Sequence, residues 1–142
     1  MKSLKPLWAI ALALPLATTS VALADEAHLS DVAQSNPQLA EQYQSLLKPF
    51  MGQSEWLANY GTTAPGTQVS LDDTKYVVYW GCKPHDCVSE NYAILVEANS
   101  QKLVAGAFVR NHFKEQTITH SNISWLGNAQ LDEARTLAPF LY

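Results

Sequence analysis

Residues 76–96 read YVVYWGCKPHDCVSENYAILV. Two continuous apolar runs, Tyr76-Val77-Val78-Tyr79-Trp80 and Ala93-Ile94-Leu95-Val96, flank a short polar loop that carries both cysteines of the chain, Cys82 and Cys87. Runs of four or five β-branched and aromatic residues without period-2 alternation predict central strands covered on both faces. The connection is too short for a crossover helix, so the strands pair antiparallel. The loop Cys82-Lys83-Pro84-His85-Asp86-Cys87 then projects from one end of the sheet.

Outward from this pair the pattern continues as a meander. Thr67 to Leu71 and Lys75 to Trp80, joined by Asp72-Asp73-Thr74, predict a hairpin. Downstream, Tyr92 to Ala98, Lys102 to Arg110 and Gln116 to Trp125 predict three more strands, punctuated by Asn99-Ser100 and by Asn111 to Lys114. Helices lie on either side. Asn36-Pro37 supplies an N-cap with proline at the first helical position, and Leu39, Tyr43, Leu46, Leu47 and Phe50 recur at spacings of three and four, with Pro49 and Gly52 ending the helix. A short helix is expected from Ser54 to Tyr60, stopped by Gly61, with Trp56, Leu57 and Tyr60 in the core. A last one is expected from about Asn128 to Leu137, with Leu131, Ala134, Leu137 and Ala138 facing inward and Pro139 as its stop. The predicted class is α+β: a single domain with a five-stranded antiparallel sheet between helical layers, and a protruding loop.

The chain has 142 residues, nine of them basic and thirteen acidic, for a net charge of -4. Met1 to Ala24 reads as a secretory signal: Lys2 and Lys5, an apolar stretch from Leu7 to Leu16, then Ala22-Leu23-Ala24 before Asp25-Glu26. That apolar stretch is broken by Pro15 and falls short of the roughly 20 residues a membrane span needs. Cleavage after Ala24 leaves residues 25–142, and loss of two lysines leaves seven basic against thirteen acidic residues, a charge of -6. An acidic surface of this kind speaks against nucleic acid, which demands clustered Lys and Arg. It favours a basic partner. Export also exposes the thiols to oxidation, so a Cys82-Cys87 disulfide is the default. So small a ring contributes on the order of 2 kcal/mol in the loop-entropy account, and its expected effect is to shape the loop.

Several chemistries compete for the loop. Structural zinc calls for four ligands, and no second cysteine pair exists; His28, His112 and His120 stand without ligand-like spacing, so no metal is expected. Redox catalysis favours C-x-x-C at a helix N-terminus, whereas here four residues separate the cysteines between strands. A thiol hydrolase needs a free cysteine, and Asp72, Asp73, Glu90 and Glu97 fall at ordinary turn and strand positions, so neither an enzyme nor a cofactor is expected. A rigid recognition loop remains, in which Pro84 fixes its φ and biases Lys83 toward extended geometry. At its tip His85 can donate or accept hydrogen bonds, which suits an acidic cleft. Residue types alone leave this reading level with a plain solvated turn.

The stretch from Tyr76 to Ile94, with CKPHDC unbroken from Cys82 to Cys87, resembles the inhibitor of vertebrate lysozyme (Ivy) family of proteobacteria. Weaker similarity extends through Trp56, Thr62-Thr63-Ala64-Pro65 and the hairpin at Asp72-Asp73, and thins after Asn111. The resemblance implies a periplasmic, non-enzymatic protein that binds C-type lysozyme. It implies that the loop Cys82, Lys83, Pro84, His85, Asp86, Cys87 enters the substrate cleft, with His85 reaching the acid and nucleophile carboxyls and Asp86 assisting. Lysozymes of this type are basic, which suits the charge of -6 expected after cleavage. The alternative target is an endogenous lytic transglycosylase, and a hydrolase acting on cell-wall glycan is a third reading. Dimers are described in the family, and nothing in these residues decides whether this chain pairs.

Overall fold

The structure, a computed structural model, describes residues 27–141. The signal-peptide reading of residues 1–24 lies outside them. Strands β1 (Thr62–Thr63), β2 (Thr67–Leu71), β3 (Thr74–Cys82), β4 (Glu90–Glu97), β5 (Leu103–Lys114) and β6 (Thr117–Gly127) form one antiparallel sheet. Both β1 and β2 pair with β3, along Gly81–Cys82 and Thr74–Val78 respectively, so the predicted five-stranded meander holds with its outer column split in two.

Central β4 is buried along almost its whole length, as the unbroken apolar run requires. Its alternating side chains enter two cores. On one face, Tyr92, Ile94 and Val96 join Val77, Tyr79 and Phe108 beneath Leu39, Tyr43 and Leu47 of helix α2 (Pro37–Met51). On the other, Ala93 and Leu95 join Val78, Ala105, Ala107 and Val109 beneath Leu137 of helix α3 (Leu131–Leu137) and Leu141. Each large apolar side chain buried in these layers is worth roughly 1.5–3 kcal/mol. Together the layers make the sheet a rigid platform for the loop at its end.

Helix α2 starts as the sequence predicts: the Asn36 side chain accepts a hydrogen bond from the Leu39 N–H at 3.1 Å, with Pro37 next. It runs two residues past Pro49, because Phe50 packs its ring 4.6 Å from that of Phe108 and holds the last turn in place. The segment after it is a 3-10 turn, Glu55–Asn59, with Leu57 in the core and Trp56 and Tyr60 packed against it. A further helix, α1 (Leu29–Ser35), precedes α2 and was not expected from the sequence; it buries Leu29 and Ala33.

Three other expectations are corrected. Asn111 to Lys114, read as a turn because they are polar, continue β5, and the β5–β6 hairpin closes at Glu115, which has φ 57. Helix α3 begins at Leu131 rather than Asn128, because Gly127, at φ 64, ends β6, and the Asn128 N–H donates to the Val104 carbonyl. Leu131, expected to face inward, is exposed at the first turn of that helix.

Candidate functional site at the β3–β4 loop

The connection between β3 and β4 runs through Lys83 to Ser89. Its first cysteine is the last residue of β3 and is fully buried, so one end of the Cys82–Cys87 disulfide is fixed in the sheet. The Cα atoms are 4.7 Å apart, within the usual range for such bridges. Cys87 lies half-buried, and between the two the chain turns outward. Just before the bridge stands Gly81, where a Cβ would come within 2.5 Å of the Tyr92 ring. The tyrosine crosses beneath the loop there and donates its hydroxyl to the Tyr60 carbonyl at 2.9 Å. Only glycine leaves room for that crossing.

The tip is a β-turn closed by the Asp86 N–H donating to the Lys83 carbonyl at 3.0 Å. Pro84 occupies the second position and His85 the third, at φ 64. A fixed negative φ followed by a positive one is the type II pattern, whose third position favours glycine or asparagine. Histidine there costs about 1 kcal/mol in backbone strain. Pro84 and His85 are the two exposed residues of the closed ring.

Asp86 is occupied within the loop. Its carboxylate lies 3.5 Å from the Lys83 ammonium, and its pKa is held below the usual aspartate value by a hydrogen bond from the Ser89 side chain first and by the Lys83 charge second. The pair is half-exposed, so it adds little stability. Its effect is on charge: the Asp86 carboxylate offsets the Lys83 ammonium within the loop. Of the six loop residues, the cysteines set the ring, Lys83 and Asp86 pair with each other, and Pro84 and His85 are presented.

The loop is anchored by residues that no local sequence pattern marks. Glu90, the first residue of β4, is buried and accepts hydrogen bonds from Trp56 Nε1 at 2.7 Å, Ser54 Oγ at 2.9 Å and Arg110 Nε at 2.7 Å. Arg110 also donates to Gln53 Oε1 at 2.8 Å and Ser54 Oγ at 2.9 Å. Burial alone would raise the Glu90 pKa, yet these donors together hold it below the usual glutamate value. The Glu90 carbonyl accepts from the Lys83 N–H at 3.0 Å, which ties this buried cluster to the foot of the loop. A second brace comes from β5: Asn111 donates its backbone N–H to the Ser89 carbonyl at 2.8 Å and its side-chain amide to the Val88 carbonyl at 2.6 Å.

The histidines are less scattered than their spacing suggests. His112 and His120 face each other across β5 and β6 with ring centroids 4.2 Å apart, while His28 bonds Thr63 Oγ1 at 2.9 Å. Among the described residues no group of three or more His, Cys, Asp or Glu side chains is placed to hold a metal ion, and no helix is long and apolar enough to cross a membrane.

The sequence profile of the family described as Inhibitor of vertebrate lysozyme (Ivy) matches residues 38–136, from the start of α2 to α3. Two curated proteins carry the name Inhibitor of vertebrate lysozyme, one from Escherichia coli strain K12 and one from Escherichia coli O157:H7. Each is 34% identical to this chain over 71 residues, covering 50% of the chain and 43% of the relative's own length. The match thus spans less than half of those relatives, while the family profile covers both helical layers and the whole sheet that carries the loop. This chain belongs to the inhibitor of vertebrate lysozyme family.

Proposed function

We propose that this protein is a stoichiometric inhibitor of C-type lysozyme, exported to the periplasm with residues 1–24 removed, that plugs the enzyme's glycan cleft with the Cys82–Cys87 loop and so protects peptidoglycan. The observation that carries the reading is His85 at the tip of a turn whose every other element is fixed: disulfide to the sheet, Pro84 in φ, Lys83 on Asp86, and Glu90 on Arg110. A loop held in its docking shape before contact loses little entropy on binding, and that preorganisation is how a small projection reaches high affinity.

The chemistry follows from the two ends. Lysozyme works with one carboxyl kept protonated and another ionised, flanking the scissile bond. An imidazole placed between them donates to the carboxylate and accepts from the acid, matching both states while excluding the sugar. Asp86 acts from behind by keeping Lys83 on the loop. After signal cleavage the chain carries a charge of -6, which would draw a basic enzyme by long-range attraction and make association salt-sensitive. No step in this account turns over substrate.

Added to C-type lysozyme in a turbidity assay, the protein is expected to abolish lysis at one equivalent, and by itself to release nothing from peptidoglycan. Persistent lysis at excess inhibitor would refute the proposal. Reducing the disulfide tests the loop separately. Far-ultraviolet circular dichroism should hold, because both core clusters are packed from residues other than the two cysteines, while inhibition should weaken as the loop regains freedom. A collapse of the spectrum would mean that the bridge supports the fold itself.

A further inference from the structure

The ladder between β4 and β5 ends at the pair Glu90 and Arg110, where the loop meets the sheet. Strand β5 does not stop there. It runs on to Lys114 in pairing with β6, which brings Asn111 opposite Ser121 beside the returning leg of the loop. Asn111 is only 8% exposed, and both ends of its side-chain amide are engaged. Its Oδ1 accepts from Ser121 Oγ, its Nδ2 donates to the Val88 carbonyl at 2.6 Å, and its backbone N–H donates to the Ser89 carbonyl at 2.8 Å. An amide held at both its oxygen and its nitrogen has one orientation.

These bonds fall where the sheet itself has no hold. The outgoing leg is fixed directly, because Cys82 is buried at the end of β3 and the Lys83 N–H donates to the Glu90 carbonyl at 3.0 Å. The returning leg, Cys87 to Ser89, lies outside every strand, and the disulfide ties it only back to Cys82. A ring fastened on one side can still tilt as a unit; a second fastening, on β5, removes that freedom. The hold reaches the tip through two successive turns that share Asp86. The Ser89 N–H donates to the Asp86 carbonyl at 3.2 Å, and the Asp86 N–H donates to the Lys83 carbonyl at 3.0 Å, across the turn that carries His85.

We propose that Asn111, oriented by Ser121, is a positioning residue for inhibition: it sets the angle at which the Cys82–Cys87 loop leaves the sheet and so places His85 for the enzyme's cleft. The inference rests on the proposed inhibitor function and extends its machinery from the hexapeptide to two strands beyond it. A binding group works only when supporting residues hold it in its productive geometry. Asn111 and Ser121 supply that support from behind, and their effect passes through the imidazole.

Calorimetric titration of C-type lysozyme with the wild type, His85→Ala, Asn111→Ala and Ser121→Ala, and with the latter two each combined with His85→Ala, tests it. Asn111→Ala should weaken binding about tenfold, the order expected when a buried hydrogen bond that orders the loop is lost, and Ser121→Ala about threefold. With His85 already alanine, the same two substitutions should each cost less than about twofold, because the group they position is gone. A purely structural role would not produce this coupling. Ser121 is half-buried, so its variant carries the cycle alone if Asn111→Ala proves too unstable to titrate. Asn111→Asp keeps the acceptor for Ser121 but turns a second acceptor on the Val88 carbonyl. It should bind no better than alanine, although its added negative charge favours a basic enzyme. Equal costs with and without His85, or Asn111→Asp at wild-type affinity, would overturn the positioning role and leave the loop reading standing. If the wild type does not bind lysozyme, or binds it equally well without His85, the inhibitor reading falls and this inference with it.

Discussion

His85→Ala is expected to weaken lysozyme inhibition roughly 30-fold or more, the effect of losing an interface anchor worth about 2 kcal/mol. The side chain is exposed at the loop tip, so its removal leaves no cavity in the protein, and stability should stay within about 0.5 kcal/mol. Alanine also keeps the strain of φ 64, which isolates the imidazole as the variable. His85→Gly completes the comparison: glycine relaxes the left-handed position and should raise stability slightly, yet inhibit no better than alanine. Recovery of inhibition by glycine would assign the effect to turn shape instead of to the imidazole.

The largest effect on stability is expected at Glu90. Glu90→Ala strips one acceptor group from Trp56, Ser54 and Arg110 at once and leaves a guanidinium partly buried without its counter-charge. Breaking an ion pair in this setting costs about 3 kcal/mol, which corresponds to a fall in Tm on the order of 10 °C for a domain of this size. Glu90→Gln preserves shape and one acceptor oxygen, so it should cost less. Acid supplies an independent readout. The folded state holds the Glu90 pKa below its unfolded value, so the stabilisation is complete above the ordinary glutamate value of about 4.3 and is lost as pH falls through the depressed folded value. Unfolding curves collected from neutral pH downward should show this loss in the wild type and a smaller one in Glu90→Gln. Identical acid sensitivity in the two would remove Glu90 from the account.

Much of this arrangement could be read from the chain because it depends on local pattern. The apolar runs at Tyr76–Trp80 and Ala93–Val96 declare two-sided burial, Asn36-Pro37 declares a helix start, and the hexapeptide at Cys82 identifies the loop. What stayed hidden depends on distant partners or on packing. Glu90 looks like an ordinary strand residue until Trp56, 34 positions earlier, and Arg110, 20 later, are folded onto it. Helix α1 is short, and its Leu29, Val32, Ala33 spacing gains meaning only against a core already in place. His112 and His120 sit eight positions apart with nothing to signal their pairing except the register of a hairpin whose polar tip passes for a loop. The left-handed backbone at His85 was equally silent, since a Pro-His turn declares no sign of φ at its third residue.

Insertion of the loop into the cleft is tested most directly by competition. Binding of the protein to C-type lysozyme should be measured by titration with increasing amounts of an N-acetylglucosamine oligosaccharide that fills the enzyme's glycan cleft. A loop occupying that cleft predicts strict competition, with the apparent Kd rising in proportion to bound sugar until binding is lost. An unchanged Kd with the cleft full of sugar would contradict it.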